Sequence, residues 1–134
     1  FMFDEQISLA TRFDLPLIIH SVQATEDVTD LLKSHSKSRG VIHAYSGSIQ
    51  QAENLLKINF SFGFGNMLTN PQAYKLHDIV KFLPIESIVI ETDDHKNPDE
   101  LIQVAERVAR IKKLTVDQVI DQCDQNTRNI FNID

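Results

Sequence analysis

The sequence contains few of the residues that cross-link or interrupt a chain. Its 134 residues include one Cys, no Trp, four Gly and four Pro. A lone thiol excludes an internal disulfide framework and fits a reducing cytoplasm, which is the compartment that we expect. No stretch approaches the roughly 18 apolar residues of a membrane span, and the N-terminus lacks the basic and apolar regions of a signal peptide. We therefore expect no membrane partner.

Basic residues are also scarce relative to acidic ones. The chain has 13 Lys and Arg against 19 Asp and Glu, which gives a formal net charge of −6. This balance disfavours a broad basic surface for nucleic acid. It does not exclude a small metal-centred site that binds phosphates, because bound dications change the local charge. The length and the apolar content of 42% fit a globular protein with one core, so we expect residues 1–134 to form a single domain.

Strand and helix patterns alternate along the whole chain. Four short apolar runs, at residues 15–20, 41–43, 60–65 and 87–93, predict strands. The ends of these runs lie 23, 22 and 28 residues apart, and each interval is long enough for a crossover helix. The sequence therefore predicts an α/β fold with four parallel strands and about six helices.

Capping patterns mark the starts of several predicted helices. Ser48 and Gln51 form a capping box, in which each side chain satisfies a backbone N–H that the helix leaves unpaired. In the first helix Ile7, Ala10 and Phe13 share one face, which we expect to be buried. Cys123 is predicted to be a small core residue of the last helix. The other predicted starts are Asp4, residue 25, Asn70 followed by Pro71, Pro98, and a second capping box of Thr115 and Gln118.

The run at residues 60–65 has aromatic side chains on one face and almost nothing on the other. Three phenylalanines alternate with Ser61, Gly63 and Gly65. This pattern is typical of a barrel wall, in which the large residues pack under outer helices and the small ones leave room inside.

Three of the four predicted strands end in a side chain able to bind a metal, namely His20, His43 and Asp93. One such histidine alone is more often a hydrogen-bonded structural residue, and one such aspartate is more often a helix cap. Together at the same edge of a parallel sheet they indicate a site for zinc, manganese or magnesium. Asp93 is also a candidate general base, and Glu91 is a candidate core-facing partner on the same face. The remaining histidines are interpreted as solvated (His35), at a surface or interface (His77) and in a loop (His95).

Seven short segments together identify a protein family more specifically than any one of them does alone, because their order and spacing are also matched. They are LPLIIHS at residues 15–21, GVIHAYSGS at 40–48, GFG at 63–65, LTN at 68–70, LP at 83–84, IETD at 90–93 and NTRNIF at 126–131. In these segments the chain resembles the C-terminal half of a TatD-family metal-dependent hydrolase. The resemblance implies a (β/α)8 barrel of the TIM type, of which this chain covers strands 5–8, with two divalent metal ions at the C-terminal mouth.

The resemblance also implies roles for the strand-end residues. His20 on the fifth barrel strand and His43 on the sixth would hold one metal, zinc, magnesium or manganese. Asp93 on the eighth would hold the other and would handle the proton of the attacking water. Members of the family act as deoxyribonucleases or related phosphoesterases, so DNA or a small phosphoester is the expected substrate.

The chain departs from the family pattern in three places. The first-strand His-x-His and the bridging Glu of the fourth strand belong to an N-terminal half that is not in this sequence. Only residues 94–97 separate Asp93 from Pro98, where the family usually has a loop of about a dozen or more residues. Val22 replaces a basic residue that many members carry.

Half a barrel leaves two open sheet edges and an uncovered inner face. A full barrel of this type needs about 250 residues. Three explanations stay open: a longer polypeptide, a truncated gene product, or two copies that pair into a closed barrel. Two alternative functions also stay open. One is a non-catalytic half-barrel that serves as an assembly module, and the other is a hydrolase of a carbonyl substrate.

Overall fold

The computed structural model describes residues 2–20, 25–35, 37–92 and 97–133. Within them the predicted alternation of strands and helices is confirmed. The four strands are β1 (Leu17–His20), β2 (Gly40–His43), β3 (Phe60–Phe64) and β4 (Ile88–Ile90). The α-helices are α1 (Met2–Arg12), α2 (Thr25–Lys33), α3 (Ile49–Lys57), α4 (Tyr74–Phe82), α5 (Asp99–Lys112) and α6 (Val116–Phe131), and short 3-10 helices cover Asn66–Thr69 and Ile85–Ser87. None of the helices described is long and apolar enough to cross a membrane.

The four strands form one parallel sheet in the order β1-β2-β3-β4. Helices α2, α3 and α4 connect successive strands, so all four carboxyl ends lie along the same edge of the sheet. In the part of the chain that the structure describes, β1 and β4 each have a strand neighbour on one side only. The sheet therefore has two open edges.

The outer face of the sheet carries the hydrophobic core. Phe60, Phe62 and Phe64 are each 2% exposed or less, as the alternation in this strand predicts. Burying one such side chain stabilises the fold by about 1.5–3 kcal/mol. Cys123 of α6 is 3% exposed in the same cluster, and its burial raises the pKa of the thiol to about 11. The predicted core role of this cysteine is thereby confirmed.

The inner face of the sheet is formed by the alternate strand residues and is less completely covered. Ile18 of β1 pairs in register with Val41 of β2, which pairs with Ser61 of β3. Val41 is 5% exposed, whereas Ile18, on the edge strand, is 58% exposed. An apolar side chain on an open edge is a surface that further strands could cover.

Two predicted helix features at the N-terminus are wrong. Helix α1 begins at Met2, so Asp4 lies inside its first turn rather than at its N-cap. An acidic residue is favourable in either place, because both lie at the positive end of the helix dipole, so the pattern does not distinguish them. Phe13 is 61% exposed, because α1 ends at Arg12 and the chain then turns through Asp14 at a φ of 54°.

The predicted start of α4 at Asn70 is also wrong, since the helix begins at Tyr74. Oδ1 of Asn70 accepts a hydrogen bond from the N–H of Gln72 at 2.9 Å, which closes a local turn instead of capping a helix. Both predicted capping boxes are confirmed, the first before α3 and the second before α6. Pro98 is the N-cap of α5, one residue from its predicted place in the helix.

Asn126 of α6 anchors the start of β4. Its side chain is 4% exposed, and Nδ2 donates to the carbonyl oxygens of Ile85 and Ile88, both at 2.8 Å. Its Oδ1 accepts from Nε2 of Gln122 at 2.9 Å. The amide thus satisfies one backbone carbonyl just before β4 and one at its first residue, where the chain leads toward the predicted metal site.

Replacing Asn126 by alanine should lower the free energy of unfolding by about 1–3 kcal/mol, since two carbonyls are left without their donor. Urea denaturation measures the change. Asn129→Ala is the matched control, because this exposed amide bonds Gln125 within the same helix, and its effect should stay within about 0.5 kcal/mol. Equal losses in the two variants would contradict the anchoring role.

Candidate metal centre

His20 and His43 lie side by side at the carboxyl ends of β1 and β2. The two residues are paired in the strand register, and their ring centroids are 4.4 Å apart with the rings tilted by 51°. His20 is exposed, and the side chain of His43 is 16% exposed. The structure therefore brings these two predicted ligands together, and their role in metal binding stays a prediction.

Asp93, the third predicted ligand and the candidate base, lies outside the described residues, as does His95. Among the residues that the structure does describe, no group of three or more His, Cys, Asp or Glu side chains is arranged to hold a metal ion. The described part of the centre thus consists of the two imidazoles and the groups that contact them.

Glu91 contacts His43 from across the sheet edge. Its Oε2 lies 2.8 Å from Nδ1 of His43, and its Oε1 accepts a hydrogen bond from the N–H of Ala44 at 2.5 Å. The Glu91 side chain is 18% exposed. Its own backbone N–H donates to the carbonyl of Phe64 at 3.0 Å, which extends the pairing of β3 with β4 by one step. The sequence indicated a core-facing partner here, but only the structure identifies the histidine that it contacts.

Gly63 is the residue that makes room for this carboxylate. A Cβ added at Gly63 would lie 2.3 Å from Oε2 and 2.7 Å from Cδ of Glu91, distances at which atoms cannot coexist. A Cβ at Gly65 would lie 3.2 Å from the Glu91 carbonyl oxygen. The small inner residues of β3 therefore leave room for a specific side chain, which crosses from the end of β4 to the end of β2.

The segment after His43 is held in a fixed shape. Ala44 has a φ of 50°, and the hydroxyl of Tyr45 donates to the carbonyl of Ser48 at 2.6 Å. The Tyr45 ring packs edge-on against Phe62 with 5.0 Å between centroids. Burial raises the pKa of Tyr45 well above its ordinary value, so the hydroxyl stays a hydrogen-bond donor rather than acting as an acid or a base. The segment orients the Ala44 N–H toward Glu91.

A cavity of about 400 Å³ opens beside these groups, between the ends of β2, β3 and β4. Its walls include the apolar side chains of Phe64 and Leu68 and the carboxylates of Glu91 and Glu100. Glu100 accepts a hydrogen bond from the hydroxyl of Thr92 at 2.7 Å. Because the polar lining includes two carboxylates, an anionic ligand would need a cation to offset their charge.

His77 has a structural role that the sequence did not indicate. Its Nε2 lies 2.9 Å from the carbonyl oxygen of Leu68, and Nη2 of Arg107 donates to the carbonyl of Thr69 at 3.2 Å. Nη1 of Arg107 is also 3.4 Å from the same Nε2, but a nitrogen that donates to Leu68 cannot accept from an arginine. The shorter contact therefore indicates that Nε2 of His77 donates to the carbonyl of Leu68. This hydrogen bond links α4 to the 3-10 helix that lines the cavity.

Comparison with known proteins finds that residues 1–132 match the family described as TatD related DNase. The uncharacterized metal-dependent hydrolase YjjV of Escherichia coli strain K12 is 32% identical over 144 residues, covering 98% of this chain and 56% of the relative. The crystal structure of YjjV matches with a TM-score of 0.88 at 30% identity, covering 98% of this chain and 55% of that one. The human 3'-5' RNA nuclease TATDN2 is 26% identical over 150 residues, covering 98% of this chain and 20% of that protein.

The chain spans about half the length of the curated bacterial relatives that it matches. The alignment with YjjV is also longer than the part of this chain that it covers. Since 98% of 134 residues is about 131, an aligned length of 144 leaves about 13 positions of YjjV without a counterpart here.

Replacing Gly63 by alanine should displace the Glu91 carboxylate from His43 and lower the free energy of unfolding by about 1–3 kcal/mol, as expected for an overpacked position. Urea denaturation measures the loss, and a crystal structure of the variant measures the displacement. Ser61→Ala is the matched control, because it lies on the same face of β3 and already carries a Cβ. The interpretation fails if the Gly63 variant is no less stable than the control and keeps the contact of Glu91 with His43.

Proposed function

This chain belongs to the TatD-related DNase family, and we propose from that premise that it forms half of the active site of a divalent-metal-dependent hydrolase of phosphodiester bonds. The observation that carries the proposal is the pair of imidazoles at the ends of β1 and β2, 4.4 Å apart and on the inner face of the sheet. Side chains at the carboxyl ends of parallel strands form the active sites of barrel enzymes.

The donors in this pair fit a divalent cation. Neutral imidazole nitrogens are ligands for zinc, and a carboxylate behind one ring, as Glu91 lies behind His43, is the usual companion of a metal-ligating histidine. In the proposed site His20 and His43 hold one metal, and Asp93 holds a second. Of zinc, magnesium and manganese, the imidazole pair favours zinc. Cations bound there would supply an activated water and polarise a phosphoryl oxygen.

The chain's own residues have three tasks in this scheme. His20 and His43 hold the cation at the sheet edge, and Glu91 orients the His43 ring. Asp93 takes the proton of the attacking water as general base, the role that the resemblance to the family implies for it. The cavity beside Glu91 accepts the part of the substrate next to the scissile phosphate.

A phosphodiester is the proposed substrate because of the family description and because a human relative is named a 3'-5' RNA nuclease. The net charge of −6 provides no broad basic surface for a long duplex. The end of a DNA or RNA strand, or a small phosphoester, therefore suits the chain better than an internal duplex site.

The other part of the proposal concerns the missing half of the barrel. We expect the chain to correspond to strands five to eight of a (β/α)8 barrel, completed by further strands from a longer polypeptide or from a second copy. The open edges of β1 and β4 and the coverage of only 56% of YjjV support this expectation. A non-catalytic assembly module is the second candidate function, favoured by the two open edges of the sheet at β1 and β4 in the described residues.

His20→Ala and His43→Ala should each weaken zinc binding by more than about 100-fold, because even changes behind a ligand cost about 10–100-fold. Isothermal titration with zinc measures the affinity, and release of nitrophenol from bis(p-nitrophenyl) phosphate measures metal-stimulated hydrolysis. His35→Ala is the matched control, since His35 lies between α2 and β2, away from the strand ends. Unchanged zinc affinity in both strand-end variants would rule out this site. If the chain binds zinc but does not hydrolyse bis(p-nitrophenyl) phosphate with zinc, magnesium or manganese, the assembly module would be favoured.

The 134-residue chain should self-associate in solution, because its inner face and both sheet edges are open. Light scattering should give about twice the monomer mass of 15.3 kDa. Ile18→Lys places a charge on the exposed edge strand and should return the chain to a monomer, whereas Ile102→Lys, at a position 49% exposed on α5, should not. A wild-type monomer at about 100 μM would contradict association through this face.

A further inference from the structure

We propose that Arg107 of α5 and His77 of α4 are positioning residues for the cavity beside the strand ends. Their side chains hold two carbonyl oxygens of the 3-10 helix Asn66–Thr69, and this helix presents Met67 to the group that occupies the cavity. The inference rests on the proposed function only for the identity of that group. The holding of the 3-10 helix is a property of the metal-free chain, and it can be measured whether or not the protein is an enzyme.

The 3-10 helix Asn66–Thr69 forms one wall of the cavity. Met67 and Leu68 both line it. Leu68 is fully buried, whereas Met67 is 70% exposed, so the same short helix supplies a packed wall and an apolar rim. Glu91 lines the cavity as well, and its carboxylate contacts His43. A group seated in the cavity therefore lies beside the predicted metal site.

This helix has little internal support. It is four residues long, and its N-cap is Gly65, which has no side chain to cap it. The N–H of Leu68 donates to the carbonyl of Gly65 at 3.0 Å. The N–H of Asn70 donates to the carbonyl of Met67 at 3.3 Å. Because such bonds have poorer geometry than those of an α-helix, and the last carbonyls of a helix lack donors within it, the carbonyls of Leu68 and Thr69 depend on donors from elsewhere in the fold.

Two neighbouring helices supply these donors. Nε2 of His77 lies 2.9 Å from the carbonyl oxygen of Leu68, and Nη2 of Arg107 donates to the carbonyl of Thr69 at 3.2 Å. Nη1 of Arg107 is 3.4 Å from Nε2 of His77, so the two side chains converge on consecutive carbonyls. A charged donor such as the guanidinium makes a stronger hydrogen bond than a neutral one. Donors from α4 and α5 thus fix the C-terminal end of the 3-10 helix.

The wall that is fixed in this way suits a planar ring. Phe64 and Leu76 add apolar surface to that of Met67 and Leu68. A thioether makes favourable contacts with aromatic rings. In the proposed substrate such a ring is the base of a nucleotide next to the scissile phosphate. Because the wall contacts this ring rather than the reacting atoms, loosening the wall should weaken substrate binding more than it slows the chemical step.

Hydrogen exchange of the metal-free chain, followed by NMR, tests the holding of the helix. Arg107→Met removes the guanidinium and keeps an apolar stem, and His77→Phe keeps a ring and removes the donor. Each should speed exchange at the amides of Leu68 and Asn70 by about 10-fold or more, whereas the amides of α6 should exchange as in the wild type. Arg110→Met is the matched control, because it removes the same charge from an exposed position on α5 and should change neither segment.

Hydrolysis of bis(p-nitrophenyl) phosphate tests the effect on the substrate, whose nitrophenyl rings replace the base. Arg107→Met and His77→Phe should raise KM about 2–10-fold and leave kcat nearly unchanged, and Arg110→Met should change neither. Met67→Ser separates the contact from the holding, because it removes the thioether from an exposed position. It should raise KM to a similar extent without changing the exchange of the 3-10 helix.

Four results would overturn the inference. They are unchanged exchange of the 3-10 helix in both Arg107→Met and His77→Phe, faster exchange throughout the chain with α6 included, a lower kcat at an unchanged KM, and an unchanged KM in Met67→Ser. If Arg107→Met does not fold, His77→Phe decides, because it removes one of the two donors and keeps the other. A chain that shows the expected local exchange but hydrolyses no phosphodiester would support the holding of the helix and contradict the proposed function.

Discussion

The parallel pairing of β1 with β2 is the constraint on which the candidate site depends. Parallel strands place paired residues on the same face, so the register that sets His20 opposite His43 also brings their rings to 4.4 Å. A slip of one residue would move one of the two rings to the other face of the sheet. Ile19 and Ile42 precede the two histidines, pair with each other on the opposite face of the sheet and are buried in the core, which holds this register.

The outer face of the sheet stabilises the fold, and the inner face carries the candidate site. The outer face is filled by the phenylalanines of β3 and by the helices that cover them, whereas the inner face carries the histidines, the glycine and the carboxylate. Gly63 contributes to both the fold and the candidate site, since it continues a buried strand and leaves the space that Glu91 occupies. This division explains why one strand has aromatic residues and nearly bare backbone in strict alternation.

The sequence predicted the strands, both capping boxes and the meeting of the two histidines, because periodicity and capping are local patterns that burial reinforces. The prediction from sequence was wrong where the same residues suit two local structures, such as a turn and a helix cap. Asn70 closes a turn instead of capping a helix, and Phe13 follows a helix end that the apolar spacing did not mark. The contact between Glu91 and His43 could not be predicted from spacing, since it joins residues 48 positions apart and skips a strand.

That contact also links the assembly of the sheet to the formation of the site. Glu91 follows β4 and His43 ends β2, so the carboxylate crosses β3 and spans two strand spacings, about 9–10 Å. The bond can form only when three strands are paired in their final register and the middle one presents Gly63 beneath it. The contact that orients His43 is therefore absent from a partly folded chain, and it forms only when the whole sheet edge is complete.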